Sequence, residues 1–243
     1  MWGCMVNGRH LLWDGCFNAR DLGGLLTSDG RRTRWGAVVR SDSLDHLSAA
    51  GWSALEAHGI RTIIDLRNDE ERPADAEPRL AGITTVHVPL DDIADTEVWE
   101  YIWGNGLDGS PLYYRPFLER KPDRCAAAVA AVARAAPGGV VVHCGVGRDR
   151  TGLISLLLLA LVGVGPDDIA SDYKLSTERL QPLWTERGEE DQGLQIKELL
   201  ARKNTSARAL LLDILGSLDI HAYLSSAGLR EDDLDALRAR LVG

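Results

Sequence analysis

Cysteine is scarce in this chain: four residues in 243, Cys4, Cys16, Cys125 and Cys144. Their spacing matches neither a disulfide-stapled secreted scaffold nor a metal-ligand set. His10, His46, His58, His87 and His221 are scattered, none at ligand spacing from another His or a Cys. No metal and no other cofactor is therefore expected. Basic charge is in deficit, 27 Lys and Arg against 36 Asp and Glu, for a formal net charge of −9. That balance argues against nonspecific binding to nucleic acid or to an anionic membrane. The strongly apolar run from Leu153 to Val164 is shorter than the roughly 20 residues a bilayer-spanning helix needs, so no stable membrane insertion is expected. Residues Met1 to Asn7 show no charged region followed by an apolar run, so no signal peptide is expected. A reducing cytoplasm suits a reactive thiol and is the expected location, with export by another route left open. Repeats and low-complexity tracts are also missing. What remains is a chain that is 45% hydrophobic, ample for a buried core. It is expected to form one domain over 1–243, with about 175–243 as a helical lid and C-terminal helices.

What is present is one stretch around which the rest is organised: Gly138-Gly139-Val140-Val141-Val142-His143-Cys144-Gly145-Val146-Gly147-Arg148-Asp149-Arg150-Thr151-Gly152. A β-branched run delivers Cys144 to the carboxyl edge of a sheet. Amides from Gly145, Val146, Gly147, Arg148, Asp149 and Arg150 can turn inward as an anion-binding nest. The helix that follows aims its free amides and positive dipole end at the same point. Gly145 and Gly147 permit unusual backbone angles and close approach to an oxyanion. Arg150 can grip two phosphate oxygens with its planar fork. The same positive field favours the Cys144 thiolate, a nucleophile in position to attack a bound phosphate monoester. Thr151 can hydrogen-bond the sulfur and help it leave. His143 is placed to orient the loop in support rather than to act as a base. The competing structural reading is a buried, inert Cys at a strand end; the agreement of His, two Gly, Arg, Thr and strand-to-helix context favours phosphate binding.

Cys, five residues, Arg, then Ser or Thr is the phosphate-binding loop of cysteine-dependent phosphatases. His143 to Gly152 resembles the active-site signature of the bacterial tyrosine phosphatase-like family, which includes dual-specificity enzymes active on phosphoinositides. Asn18-Ala19-Arg20-Asp21-Leu22-Gly23-Gly24 is similar to that family's N-terminal motif. Arg40-Ser41-Asp42-Ser43-Leu44 and Gly59 to Arg67 are similar to its next two blocks, Asp172 to Ser176 to a later segment, and Leu210 to Leu241 to its helical end. The family commonly has Lys where this chain has Arg148, so a point charge becomes a fork. The resemblance implies a tyrosine phosphatase-like α/β fold with a C-terminal helical addition, and a cysteinyl-phosphate intermediate. The implied substrates are phosphorylated proteins or small phosphate esters: phosphotyrosine first, then phosphoserine, phosphothreonine or phosphoinositides.

Read in order, the chain gives strands over Trp35 to Arg40, Arg61 to Leu66, Thr84 to Leu90 and from Val140. Helices are expected from Ser48 to His58, Arg124 to Ala136, and from Gly165-Pro166 onward. Strand-helix alternation predicts a mostly parallel central sheet flanked by helices. Arg20 and Asp21 are expected either as a salt bridge holding the site's wall or as a weak surface pair. From Ile93 to Pro122 the pattern loosens, and its aromatics read as a substrate-facing wall or as a satellite core under a long loop. Asn68 to Pro73 reads as a solvated charged turn, and Arg187 to Asn204 as a mobile lid or a surface helix. The leaving group needs a proton donor. Asp65, Asp91, Asp92 and Asp149 are candidates. Asp65 matches the family's Asp-Leu-Arg segment, Asp149 lies in the loop, and Asp91 follows the strand that supplies the acid in related dual-specificity phosphatases. Asp65 and Asp149 are selected, beside Cys144 and Arg150. A rhodanese-type sulfurtransferase and a phosphate-binding pseudophosphatase are the alternatives; arsenate reduction shares the Cys and Arg spacing but little else.

Overall fold

The computed structural model describes residues 7–243; Cys4 and the start of the chain, on which the signal-peptide expectation rests, lie outside them. The strands are β1 (Arg20–Asp21), β2 (Val38–Ser41), β3 (Ile60–Asp65), β4 (Thr84–His87) and β5 (Gly139–His143). They form one sheet in the order β1-β2-β5-β3-β4, antiparallel between β1 and β2 and parallel elsewhere. Strand β5 is central, with Val141 opposite both Val39 and Ile63, and His143 opposite Ser41 and Asp65. The carboxyl ends of β2, β3 and β5 therefore meet at one edge, where open parallel sheets bind ligands.

The helices are α1 (Ala49–Ala57), α2 (Thr96–Gly104), α3 (Tyr114–Arg120), α4 (Pro122–Ala133), α5 (Arg150–Leu161), α6 (Pro166–Arg179), α7 (Gln181–Arg187), α8 (Gln192–Arg202), α9 (Ala207–Ser217), α10 (Ile220–Ser226) and α11 (Glu231–Leu241). Strand alternation decides which face each helix covers. Val39, Ile63 and Val141 pack with Trp52 and Leu55 of α1 and with Trp13, Leu44 and Leu47. Val38, Ile64, Val140 and Val142 pack against α4, α5 and the C-terminal helices. Both faces are covered, which is why β5 reads as an unbroken apolar run. Helix α5 is buried at every residue from Thr151 to Leu159, as a helix apolar all round must be. Helix α1 starts as Ser48 predicts, its hydroxyl accepting from the Gly51 amide. Among the described residues no helix is long and apolar enough to cross a membrane.

Several expectations are corrected. Residues 93–122 are not loose: α2, a short 3-10 turn at Pro111–Tyr113 and α3 occupy them, and Trp99, Tyr113, Tyr114 and Phe117 join the main core. Trp99 and Ile102, like Tyr114, Phe117 and Leu118, recur at helical spacing, while Gly104, Gly106, Gly109 and Pro111 fall at or between helix ends. Arg20 and Asp21 do not pair with each other and neither is at the surface. Asp21 accepts from the Gly23 and Gly36 amides and bonds His58, whereas Arg20 reaches across to Asp172. Strand β4 stops at His87, short of Leu90. The charged stretch after Arg187, by contrast, needs no correction: it is largely helical and mostly exposed, as the surface-helix reading has it, with Asp191 capping α8 through the Gly193 amide.

Candidate active site

The turn from β5 into α5 runs from Cys144 to Asp149. Its carbonyls are taken up by the scaffold behind it. Ser43 N donates to Gly145 O at 2.8 Å. Asn18 Nδ2 donates to Val146 O at 3.0 Å and Gly147 O at 3.2 Å. Arg40 Nη2 donates to Gly147 O at 2.8 Å, and Tyr114 Oη to Asp149 O at 2.8 Å. Among the described residues, the amides of Gly145, Val146, Gly147 and Arg148 have no protein acceptor. A peptide loop with carbonyls bonded outward and consecutive amides free is an anion-binding concavity. Gly147 is essential to that path. Its φ is +68°, and a Cβ there would lie 2.2 Å from Ser41 O. Gly145 has no positive φ, so the backbone freedom expected of it is not used.

Cys144 is buried at the bottom of this turn, and Thr151 Oγ1 donates to its Sγ at 3.2 Å. His143 is fully buried beneath it, with Nδ1 3.3 Å from Cys144 O. Burial, reinforced by Arg67 against the opposing pull of Asp65, lowers His143 to about 4, so the ring is neutral near pH 7 and donates from Nδ1. That fits an orienting part and not that of a base.

The loop is braced from below by one buried carboxylate. Asp172 of α6 contacts Arg20 Nε at 3.1 Å, Arg40 Nη1 at 2.7 Å and Arg9 Nη2 at 2.8 Å. Burial alone would raise its pKa, but Arg20, Arg40 and Arg9 hold it well below the usual carboxylate range. Through Arg40 this cluster reaches Gly147 O, and through Arg20 Nη1 it fixes Asn18 Oδ1 at 2.6 Å.

Arg150 is held over the loop by Glu71, both guanidinium termini meeting both carboxylate oxygens, with Nη2 to Oε1 at 2.6 Å. Asp91 Oδ2 lies 3.1 Å from Arg150 Nη1. Burial raises Asp91 to about 6, the charges of Glu71 and Asp149 adding to the rise and Arg150 and Asn68 opposing it. Asp65 is in a different setting. Arg67 donates to it from its backbone N, Nε and Nη2, at 3.1, 3.0 and 2.9 Å. Burial would push Asp65 up, but Arg67 and His143 hold it well below the ordinary carboxylate value. A buried carboxylate held as an anion by Arg67 is poorly suited to give a proton near neutral pH, which weighs against the donor role expected of Asp65. Asp149 faces the loop but is engaged by Arg148 at 3.1 Å and by Tyr173 Oη at 3.2 Å. Asp92 pairs with Lys121 and Arg124. Among the described residues, no group of three His, Cys, Asp or Glu side chains forms a metal site.

The structure thus brings Cys144, Gly145, Val146, Gly147, Arg148, Asp149, Arg150, Thr151 and His143 together, and sets Asp65 beneath them in a salt bridge. Asn18, Arg40 and Asp172 lie in segments whose pattern was legible but whose part was not. Glu71 sits in a charged run with no local signal to set it apart.

A model of the tyrosine phosphatase family matches residues 11–243. A putative tyrosine-protein phosphatase of Cupriavidus necator is 35% identical over 181 residues, 72% of this chain and 66% of that protein. A triple specificity protein phosphatase of Mycobacterium tuberculosis is 27% identical, over 94% of this chain and 98% of its own length. A tyrosine-protein phosphatase of Nostoc commune is 28% identical over 84% of this chain and 74% of its own.

Proposed function

The chain belongs to the tyrosine phosphatase family and is a phosphatase, and from that premise we propose that it hydrolyses phosphate monoesters, phosphotyrosine first, through a covalent intermediate on Cys144. The observation that carries this reading is the turn of free amides over the buried Cys144 sulfur. The phosphate of the substrate sits on the amides of Gly145 to Arg148, and Arg150 shares its fork between phosphate and Glu71. The Cys144 sulfur attacks phosphorus in line: a P–S bond forms while the P–O bond to the leaving group breaks. Asp91 gives its proton to the departing oxygen. Amides and Arg150 stabilise charge on the equatorial oxygens. Water then attacks the cysteinyl-phosphate, Asp91 takes a proton from it, and Thr151 donates to the sulfur as the P–S bond breaks. Asp149 positions Arg148 at the loop's rim.

Phosphoserine, phosphothreonine and phosphoinositides belong to the substrate range to be tested, given two arginines in one loop and the triple specificity of the mycobacterial relative's name. In this reading residues 1–243 act as one domain, with α8 as a lid, and the reduced thiol works in the cytoplasm. The test is phosphate release from a phosphotyrosine peptide in EDTA, wild type against Cys144→Ser. Wild type should release phosphate and the variant should lose roughly three orders of magnitude or more. Equal release from both would overturn the nucleophile.

A further inference from the structure

Next to the phosphate loop, α6, α8 and the start of α9 enclose a cavity of about 470 Å³. Cavities that bury a small organic ligand run from about 300 to 1,000 Å³. Its apolar wall is Ala170, Leu194, Ile196 and Leu200. Its charged wall is unbalanced: Arg148, Lys174, Lys197 and Arg208 against one carboxylate, Glu178. Arg208 is paired with Asp167, while Lys174 and Lys197 have no ion-pair partner among the described residues.

Arg148 closes one end, and it is only 3% exposed. Its Nε and Nη2 are used by Asp149, by Gly109 O and by Gln192 Oε1, but Nη1 is buried with no acceptor. A buried cationic N–H left unpaired is costly, and such groups are seldom left so. Helix α8 above the cavity buries only Gly193 and Leu200, and Leu194 is 58% exposed. An apolar face that is not filled by the protein's own side chains thus lies beside an unsatisfied cation.

We propose that this cavity, adjoining the thiol loop, is a binding site for a small amphiphile: an apolar body against Leu194, Ile196 and Leu200, and a single anionic head, carboxylate or phosphate, on Lys174 and Lys197. Lys174 and Lys197 supply the charge that meets the head, and the body completes the apolar wall.

Calorimetric titration of the full chain with decanoate, decyl phosphate and decanol, each below its micelle concentration and with tungstate saturating the phosphate loop, tests this directly. At least one anionic probe should bind with tungstate present, and the tighter of the two identifies the head. Decanol should bind at least tenfold more weakly. Ile196→Trp, which fills the cavity, should weaken the anionic probe at least tenfold while the variant keeps a cooperative melt by circular dichroism. Leu194→Glu, at an exposed position, gives the same reading should the Trp variant fail to fold. Absence of binding by both anions, loss of binding when tungstate is added, equal binding of decanol, or unchanged binding in the folded variants would overturn the proposal. The readout is heat of binding, so its failure is separate from any failure of phosphatase chemistry.

Discussion

Asp91 and Asp65 are both carboxylates close to the phosphate loop, but only Asp91 has surroundings that let it hold a proton near neutral pH. Burial and the neighbouring charge of Glu71 lift it to about 6, whereas Arg67 keeps Asp65 ionised. A general acid works in its protonated form, so turnover of a poor leaving group should fall as pH rises through about 6. Asp91→Asn should remove that falling limb and slow alkyl phosphates far more than activated aryl phosphates, by roughly 10²-fold or more. Steady-state pH profiles on paired leaving groups read both effects; loss of the limb in Asp149→Asn instead would move the assignment to Asp149. Glu71→Gln removes a like charge from Asp91 and frees Arg150 to face it. Both changes favour ionised Asp91, so the limb should shift to lower pH, and an unmoved limb would sever the link. Cys144, Arg150 and Thr151 were legible because one loop must hold them at fixed spacing. Asp91 was legible only as one of four candidate acids and Glu71 not at all, because their setting arises only where separate loops meet at Arg150.

At the scale of elements, the phosphate loop owes its shape to β1, β2 and α6 as much as to β5 and α5. Asp172 pairs with both Arg20 and Arg40, and those two residues in turn fix Asn18 and Gly147. Removing one partner from a buried ionic cluster typically costs about 3–5 kcal/mol. Asp172→Asn should therefore lower unfolding free energy by about that amount in urea, and reduce phosphatase activity although Asp172 touches no substrate. The pH dependence has a definite sign. Because the folded pKa of Asp172 is depressed, its stabilisation is present above its unfolded value of about 4 and is lost as pH falls below it. Most strands and α1 could be read from β-branched runs and a Ser cap, since those signals are local. The stretch from Ile93 to Pro122 could not, because glycines that punctuate helix ends look in sequence like glycines that prevent helices. The partners of Arg20 were hidden for another reason: Asp172 is 152 residues away.

For the whole molecule, the C-terminal helices are part of the core. Leu234, Leu237 and Leu241 of α11 are buried, Arg134 at the C-cap of α4 pairs with Asp233, and the Leu241 carbonyl accepts from the Arg34 amide. Losing three buried leucines removes roughly 6 kcal/mol of apolar burial, which is comparable with a typical total stability of about 5–15 kcal/mol. A chain ending before Glu231 should therefore lose its cooperative melt by circular dichroism, while the full chain should unfold in one transition if 1–243 is one domain. The apolar pattern of this end was visible in the sequence; what it covers was not, since periodicity names a face without naming its neighbour. The outward bonding of the phosphate loop's carbonyls has a further consequence at this scale. Asn18, Arg40 with Ser43, and Tyr114 come from three separate parts of the chain, so the loop is shaped when the protein folds and not when substrate arrives. The entropy of ordering it is settled during folding. An incoming oxyanion meets a finished mould, and its binding energy is left free for the reaction.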